Sequence, residues 1–452
     1  MSEAMLSLSE AARAMEGEFS GADARFFRVA TDSRSLRAGD LFVALRGAKF
    51  DGVAFAAAAL AAGAAGVVVN RAAAAGLEPA IRVDDSRLAL GRLAAHWRDR
   101  FTLPIAAVTG SNGKTTVKEM LAAILRTAVG DAVLATEGNL NNDIGLPLML
   151  LRLRAAHRYA VLEMGMNHAG EIGYLTRLAR PGVALVNNAQ RAHVGMLGSL
   201  AEIARAKGEI FAGLGDQGVA VINADDPNAG LWQAMNAGRS VLTFGLQAGA
   251  VRGRWQAQGY GSHLTVEGLG APLQLILQVP GEHNARNALA AMACAHALGV
   301  SAAAMKAGLQ AFGGVKGRLQ RKPALFGATV LDDTYNANPD SVKAALDVLK
   351  ALPGRHVLVL GDMGELGADS AALHADIGLA ARAAGVGRLL ALGEQSEAAV
   401  RAFGAGAMHF ERIEELLAEV ENLLAADVTL LVKGSRFMQM ERVVKSFAEA
   451  GQ

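Results

Sequence analysis

A phosphate-binding sequence is the feature of this chain with the clearest chemistry. Residues 105–116 read Ile-Ala-Ala-Val-Thr-Gly-Ser-Asn-Gly-Lys-Thr-Thr, so a short apolar run leads into a glycine loop and then into a helix. Backbone N–H groups of such a loop and of a helix N-terminus converge on phosphate oxygens. Lys114 could reach the β- and γ-phosphates, and the Thr115 hydroxyl is placed to bind Mg²⁺. The predicted phosphate-binding residues are Gly110, Ser111, Asn112, Gly113, Lys114, Thr115 and Thr116.

The loop departs from the strict Walker pattern, because Val108 stands where that pattern has glycine. An ordinary glycine-rich turn between a strand and a helix is the alternative interpretation. The segment that follows favours the phosphate loop, because its apolar residues recur at i, i+3, i+4, i+7 and i+8 and would form one stripe against a sheet. These residues are Val117, Met120, Leu121, Ile124 and Leu125.

Further polar residues lie where a metal ion beside this loop would need ligands. Glu163 ends an apolar run, and His193 follows the next run along the chain. Ligands collect at the carboxyl ends of strands in doubly wound sheets. Either residue alone could equally be a strand-end glutamate or an exposed loop histidine. Together they favour a metal site, and the predicted ligands are Thr115, Glu163, His193 and Lys207.

Lys207 falls on the apolar face of a predicted helix that begins with a Ser-x-x-Glu capping box, Ser199 to Glu202. That face also carries Leu200, Ile203, Ala204, Ile210 and Phe211. Two interpretations remain open: the amine extends along the apolar surface into water, or it points toward the site. A buried lysine loses its proton readily, and an uncharged amine can take up CO₂ to become a carbamate, an anionic metal ligand.

Asn287 lies among polar residues at the start of an alanine- and leucine-rich helical segment, Gly-Glu-His-Asn-Ala-Arg-Asn-Ala-Leu-Ala-Ala. Its amide presents both donors and acceptors, which suits the edge of a nucleobase. Helix capping is the competing interpretation.

Composition restricts the class of protein. The chain has 452 residues, of which 52% are hydrophobic and 19% charged, and a net charge of +1 gives no global attraction to nucleic acid or anionic membrane. The single cysteine, Cys294, cannot form an internal disulfide and is predicted to be a buried thiol. The chain begins without a signal-like segment and contains no apolar run of about 18 residues, so we expect a cytoplasmic protein with no membrane insertion.

The elements that must position these residues alternate between short apolar runs and helical sequence, which predicts an α/β protein of about three domains. Boundaries are expected near Pro104 and within the glycine-rich, basic segment 313–323. The predicted domains are a small α/β domain (1–102), a central mononucleotide-binding domain with a mostly parallel sheet (103–318) and a Rossmann-like doubly wound domain (319–452).

The chain resembles the Mur ligase superfamily at motifs along its whole length. These are Thr-Gly-Ser-Asn-Gly-Lys-Thr-Thr, Leu-Glu-Met-Gly, His193, Ala-Lys-Gly-Glu-Ile and Gly-Glu-His-Asn-x-x-Asn. The resemblance implies a three-domain enzyme that forms amide bonds with ATP. Segments 139–147, 332–341 and 361–367 resemble the branch that joins D-alanyl-D-alanine to UDP-N-acetylmuramoyl-tripeptide. The Asp-Asn-Pro-Arg motif typical of the ligase that adds the third amino acid is not found in the sequence.

The resemblance also implies a role for each matching residue. ATP, two Mg²⁺ ions and CO₂, as a carbamate on Lys207, are the expected cofactors. Lys114, Lys207, His193 and Arg318 correspond to catalytic positions, Asn287 to the adenine contact and Asp333 to the ribose contact. The positions implied for the two substrates are Thr31, Asp32, Ser33, Arg34, Gly47, Asp51, Asn142, Asn336, Asn338, Ser341 and Lys433.

These roles imply small-molecule substrates, no nucleic acid and a monomer. A neighbouring Mur or folylpolyglutamate-type ligase would share the ATP site and differ in its acceptor. A nucleotide-dependent switch protein is the alternative from another class, although a switch would not need extra anionic metal ligands.

Overall fold

Three large sheets follow one another along the chain, and each is the centre of its own α/β unit. The computed structural model describes residues 4–47, 51–72, 76–190 and 199–448. The first unit has a five-stranded sheet in the order β2-β7-β6-β5-β4, in which only β2 runs antiparallel to its neighbour. Its elements are β1 (Leu6–Ser7), α1 (Leu8–Met15), β2 (Glu18–Ser20), β3 (Arg25–Phe26), β4 (Arg28–Ala30), β5 (Asp40–Val43), α2 (Ala56–Ala61), β6 (Gly66–Asn70), β7 (Ala80–Val83) and α3 (Ser86–Arg98).

The second unit contains a nine-stranded sheet in the order β16-β15-β14-β13-β12-β11-β8-β10-β9. Strands β8 to β14 run parallel, and β14 to β16 form an antiparallel extension at one edge. Its elements are β8 (Ile105–Thr109), α4 (Lys114–Val129), β9 (Val133–Ala135), α5 (Gly145–Leu150), β10 (Tyr159–Glu163), α6 (Glu171–Ala179), β11 (Val183–Val186), α7 (Leu200–Gly208), β12 (Val219–Asn223), α8 (Ala229–Met235), β13 (Ser240–Gly245), β14 (Val251–Gln258), β15 (Gly261–Glu267), β16 (Leu273–Leu277), α9 (Glu282–Ala297) and α10 (Ala302–Gln310).

The third unit has a six-stranded sheet in the order β17-β18-β22-β19-β20-β21, parallel except for the edge strand β17. Its elements are β17 (Gln320–Pro323), β18 (Thr329–Asp333), α11 (Pro339–Lys350), β19 (Arg355–Gly361), α12 (Ser370–Ala383), β20 (Arg388–Leu392), α13 (Glu397–Phe403), β21 (Ala407–Phe410), α14 (Ile413–Leu423), β22 (Val428–Lys433) and α15 (Glu441–Phe447). The predicted α/β class with mostly parallel sheets is confirmed.

The core forms where the sequence pattern predicts it. Central strands such as β8 and β11 are buried along their whole length, because helices cover both faces of a parallel sheet. The five apolar residues of the α4 stripe are fully buried, as is Cys294 in α9. None of the helices in the described parts of the chain is long and apolar enough to cross a membrane.

One apolar face differs from its prediction. Ile203 and Ala204 of α7 are fully buried, but Leu200 is 45% exposed because it lies in the first turn of the helix, on the wall of a cavity. The predicted capping box is only half formed. Ser199 Oγ accepts from the Glu202 N–H at 3.2 Å, whereas the Glu202 carboxylate pairs with Arg205.

Candidate active site

The phosphate loop connects the end of β8 to the start of α4. Gly113 has a φ of 80°, a left-handed conformation that favours glycine. A Cβ atom there would lie 2.4 Å from Asn287 Oδ1, so the close approach of α9 also requires glycine. This confirms the predicted change from strand to helix at the loop.

Lys114 lies over the loop that precedes it. Its Nζ donates to the carbonyl oxygens of Gly110 at 2.6 Å and Ser111 at 3.2 Å. Burial lowers the pKa of Lys114, and the negative charges of Glu163 and Glu365 oppose that shift. A phosphate group bound in the loop would compete with the two carbonyl oxygens for this cation.

Glu163 presents one buried carboxylate oxygen that has no hydrogen-bond partner. The residue is 2% exposed, and the register of β10 against β8 places it beside Val108, close to the phosphate loop. Its Oε1 accepts from Asn141 Nδ2 at 2.7 Å, whereas Oε2 is buried without a donor. Burying an unpaired carboxylate oxygen is costly unless a cation compensates it. Glu163 therefore fits a metal ligand.

The described residues do not complete a metal site from His, Cys, Asp and Glu side chains alone. Within ranges 4–47, 51–72, 76–190 and 199–448, no group of three or more His, Cys, Asp or Glu side chains could hold a metal ion. The Thr115 hydroxyl lies on the same cavity wall as Glu163. The predicted ligand His193 lies outside the described residues.

Lys207 is buried to 1% exposure and lines the same cavity. Its amine does not extend into water, so the interpretation of Lys207 as an exposed lysine on an apolar surface is wrong. Burial lowers the pKa of Lys207 well below its ordinary value, and the positive charge of Lys114 adds to that shift. A buried amine whose neutral form is favoured can react with CO₂.

Asn287 supports the phosphate loop through a network of amides. Asn187 Nδ2 donates both to the Asn112 carbonyl at 3.0 Å and to Asn287 Oδ1 at 3.0 Å. Because α9 begins at Glu282, Asn287 lies more than one turn inside the helix and does not cap it. The capping interpretation is therefore wrong, and the amide faces the loop and the cavity.

The third unit and Arg318, which lies two residues before its first strand, contact the phosphate loop directly. Arg318 Nη2 donates to Thr115 Oγ1 at 3.1 Å, and its guanidinium carbon lies 4.4 Å from the centre of the Tyr335 ring. Asn338 Nδ2 donates to Asn112 Oδ1 at 2.8 Å. These contacts close the second and third units around one site.

The residue predicted to contact ribose is already paired within the third unit. Asp333 Oδ2 accepts from Lys433 Nζ at 2.6 Å, and Asp333 Oδ1 accepts from the Leu319 N–H at 3.1 Å. A ribose hydroxyl would therefore have to bind Asp333 beside these donors. Asp333 and Lys433 nevertheless both line the cavity.

A cavity of about 1210 Å³ brings most of the predicted site residues together. Gly110 contributes its carbonyl to Lys114 without lining the wall. The predicted residues that line the cavity are Ser111, Asn112, Gly113, Lys114, Thr115, Thr116, Asn142, Glu163, Lys207, Asn287, Arg318, Asp333, Asn336, Asn338, Ser341 and Lys433.

The predicted uridine-binding residues lie apart from this cavity, in the first unit. Asp32 caps a short 3₁₀ turn, where hydrogen bonds from Arg34 lower the pKa of Asp32 to about 2. Asp51 caps a second such turn by accepting from the Val53 N–H at 3.0 Å. The predicted substrate residues that do not line the cavity are Thr31, Asp32, Ser33, Arg34, Gly47 and Asp51.

Sequence reasoning missed several residues of the site. Asn187 and Asn188 follow β11 directly, and both amides donate to the Asn112 carbonyl. The rule that polar residues at strand ends face a ligand would have found them. Arg87 of α3 pairs with Asp143 and lines the cavity, a contact between units that no sequence signal predicts.

Comparisons with known proteins agree with this geometry. Three family descriptions match in order: "Mur ligase family, catalytic domain" at residues 27–98, "Mur ligase middle domain" at 108–295 and "Mur ligase, glutamate ligase domain" at 317–436. The chain is 44% identical to UDP-N-acetylmuramoyl-tripeptide–D-alanyl-D-alanine ligase of Escherichia coli, over 99% of both proteins. It is 41% identical to the Haemophilus influenzae protein of the same name, over 93% of both.

Solved structures are similar over nearly the same length. A crystal structure of MurF from Acinetobacter baumannii superposes with a TM-score of 0.92 at 36% identity, covering 97% of each chain. MurF of Thermotoga maritima in complex with ADP superposes with a TM-score of 0.84 at 28% identity, covering 92% of this chain and 96% of that one.

Proposed function

The chain belongs to the Mur ligase family, and we propose that it joins D-alanyl-D-alanine to UDP-N-acetylmuramoyl-tripeptide at the expense of ATP. The observation that carries this proposal is one cavity in which the phosphate loop, the unpartnered oxygen of Glu163 and the buried amine of Lys207 lie together. The full-length similarity to ligases of that name supports the choice of substrates.

The reaction must activate a carboxylate, which resists attack because it is negatively charged and has a poor leaving group. The tripeptide carboxylate attacks the γ-phosphate of ATP in line, and Lys114 leaves its loop carbonyls to stabilise charge on the transferred phosphoryl group. The amine of the dipeptide then attacks the acyl phosphate, and inorganic phosphate departs. Arg318 and Asn338 hold the third unit against the phosphate loop, which excludes water from the acyl phosphate.

Two Mg²⁺ ions would neutralise the phosphate and carboxylate oxygens when they are bound. Their proposed ligands are Thr115, Glu163, His193 and a carbamate formed from Lys207 and CO₂. The orphaned Glu163 oxygen and the burial of Lys207 support this assignment.

The remaining roles are proposals as well. Asn287 is proposed to contact adenine, Asp333 to contact ribose and Arg318 to contact phosphate. We assign the uridine nucleotide to the first unit, and we place the enzyme in the cytoplasm as a monomer of three domains, 1–102, 103–318 and 319–452. The substrate positions in that unit are Thr31, Asp32, Ser33, Arg34, Gly47 and Asp51, and those around the cavity are Asn142, Asn336, Asn338, Ser341 and Lys433.

Phosphate release tests the function when ATP, the UDP-linked tripeptide and D-alanyl-D-alanine are each omitted in turn. We expect full turnover only with all three, and ¹⁸O from the tripeptide carboxylate should appear in the inorganic phosphate. Turnover with a different amino acid acceptor would instead identify a neighbouring ligase. Lys114→Ala should abolish ADP formation while binding of the uridine nucleotide persists.

A further inference from the structure

The arginine proposed to contact phosphate lies on the linker between the second and third units, residues 311–319. This linker follows α10 of the second unit and leads into β17 of the third. Arg318 therefore belongs to neither sheet, although its side chain reaches Thr115 of the phosphate loop. The place of its guanidinium depends on how the backbone of the linker is held.

The third unit holds the linker on both sides of Arg318. The Tyr335 N–H donates to the Gly317 carbonyl at 3.1 Å, and the Leu319 N–H donates to Asp333 Oδ1 at 3.1 Å. These bonds fix the linker relative to the third unit. They do not fix it relative to the second unit, which carries the phosphate loop.

Tyr260 ties the linker to the second unit, because its hydroxyl donates to the Leu319 carbonyl. Tyr260 lies in the two-residue turn between β14 and β15, where Gln258 pairs with Gly261. Gly259 of the same turn has a φ of 58°, a positive value that such short turns favour. Since the turn is tight and its strands are paired to their ends, the hairpin holds the hydroxyl at a defined point.

The ring of Tyr260 is held separately from its hydroxyl. The ring packs against the apolar core of the third unit, and the Arg321 guanidinium carbon lies 5.6 Å from its centre. Burial raises the pKa of Tyr260, so the hydroxyl keeps its proton and remains a donor near neutral pH. Tyr260→Phe should therefore remove the bond to the linker and leave the ring in place.

Leu319, the neighbour of Arg318, has an unfavourable backbone conformation. Its φ is 51°, in the left-handed region that residues other than glycine avoid, and the residue is buried. Such a conformation persists only where the surrounding structure holds it, and here Asp333 holds the N–H and Tyr260 the carbonyl. Without the tyrosine hydroxyl, a buried carbonyl loses this donor and the backbone can rotate toward a commoner conformation. That rotation would displace Arg318.

We propose that Tyr260 is a positioning residue whose hydroxyl, through the Leu319 carbonyl, holds Arg318 where its guanidinium reaches the phosphate loop and the transferred phosphoryl group. This inference rests on the proposed function. Tyr260 does not line the cavity, so it acts on the reaction only through the arginine. A displacement of about 1 Å in a group that positions a reaction can lower the rate about 100-fold.

A double-mutant cycle between Tyr260→Phe and Arg318→Ala tests this role. ADP release with UDP-N-acetylmuramoyl-tripeptide and D-alanyl-D-alanine gives kcat and KM for ATP. We expect Tyr260→Phe to lower kcat about 10- to 100-fold and to leave KM for ATP within about threefold, because the affected contact acts in the transition state. In the Arg318→Ala background, the same substitution should change kcat by less than about threefold, since the residue through which it acts is absent.

Tyr159→Phe is the matched control, because it removes a tyrosine hydroxyl at the start of β10, outside the cavity wall, and should leave kcat unchanged. A loss of the same size in both arginine backgrounds would show that the Tyr260 hydroxyl supports folding or another step, and it would overturn the proposal. An unchanged kcat in Tyr260→Phe would overturn it as well.

A crystal structure of Tyr260→Phe tests the same placement without any substrate. We expect Arg318 Nη2 to have moved out of hydrogen-bond distance of Thr115 Oγ1, and an unmoved guanidinium would overturn the proposal. A wild type that releases ADP only with a different acceptor would refute the proposed function. The cycle run with that acceptor would still decide the role of Tyr260.

Discussion

Arg318 and Thr115 join the third unit to the phosphate loop through a hydrogen bond of 3.1 Å from Nη2 to Oγ1. The same guanidinium packs on the face of the Tyr335 ring. Thr115 is the proposed Mg²⁺ ligand of the loop, so the arginine contacts the hydroxyl to which that proposal assigns the metal ion. This contact makes the position of the third unit sensitive to what the loop binds.

Arg318→Ala should lower kcat about 1000-fold, because a guanidinium that stabilises charge in phosphoryl transfer contributes this much. Arg318→Lys should restore little, since an ammonium cannot both stack on Tyr335 and donate to Thr115. Steady-state ADP release measures the effect. Arg321→Ala is the control, because Arg321 lies over the Tyr260 ring at 5.6 Å and away from the cavity. A similar loss in that variant would show that the effect is not specific to Arg318 and would contradict its assignment to phosphoryl transfer.

Asn338 has two roles that mutations can separate. Its side chain caps α11 by accepting from the Ser341 N–H at 2.9 Å, and it donates to Asn112 across the boundary between units. Asn338→Ala should therefore lower the free energy of unfolding by about 1 kcal/mol, the usual value of a cap. Asn112→Ala removes the bridge and the hydrogen bond from Asn112 Nδ2 to Gln190 Oε1 but leaves the cap of α11 intact, so it should raise KM for ATP with a smaller loss of stability. Urea unfolding and ADP release distinguish the two, and equal destabilisation by both variants would contradict this division.

The phosphate loop, the α4 stripe and the mostly parallel sheets are predictable from the sequence because they depend on local patterns. Gly113, Lys114 and the stripe from Val117 to Leu125 are close in sequence, so their spacing determines their geometry. The sequence patterns do not predict strands 240–277. Most of this segment forms the antiparallel edge β14 to β16, and its half-exposed pattern is weaker than that of the buried central strands.

Contacts between distant parts of the chain could not be predicted from spacing. The bond from Asn141 to Glu163, the bond from Arg318 to Thr115 and the charge of Glu365 near Lys114 all depend on how the loops fold back or the units dock. Leu200 shows the same limit on one helix, because the apolar periodicity of α7 does not indicate that its first turn borders a cavity.

Glu163→Gln should remove the metal-dependent part of ligand binding. A bound ligand raises the free energy of unfolding, by about 2.7 kcal/mol when it is present at 100 times its Kd. If Mg²⁺ tightens the binding of ADP, wild-type protein should be stabilised more by ADP with Mg²⁺ than by ADP alone. The variant should show little difference between the two conditions, because an uncharged amide is a weaker ligand than the orphaned carboxylate oxygen. Thermal unfolding with and without Mg²⁺ measures this. Glu202→Gln on the exposed side of α7 should behave as wild type, and a full Mg²⁺ response in Glu163→Gln would exclude Glu163 as a ligand.

Lys207 should carry a carbamate when CO₂ is present. Protein depleted of CO₂ should lose activity, and bicarbonate should restore it. With ¹³C-bicarbonate, a carbamate signal should appear in the ¹³C NMR spectrum and be absent from Lys207→Met. Lys118 is an internal control, because it is equally buried but its amine is paired with the Glu119 carboxylate. A signal that persists in Lys207→Met, or activity indifferent to bicarbonate, would contradict the assignment.

His374 should make the stability of the third unit depend on pH. The ring is fully buried, its Nε2 accepts from the Met363 N–H at 2.9 Å, and its Nδ1 donates to the Ser370 carbonyl at 2.8 Å, so the neutral form is required. Burial lowers the pKa of His374 below its ordinary value of 6.5. The unfolded chain therefore takes up a proton first as the pH falls through about 6.5, and the free energy of unfolding decreases until the folded pKa is reached. His374→Gln keeps an acceptor for Met363 and should weaken this dependence. Urea unfolding at pH 7.5 and pH 5 measures this pH dependence of the free energy of unfolding. If the variant loses as much stability between the two pH values as wild type does, His374 is not the cause.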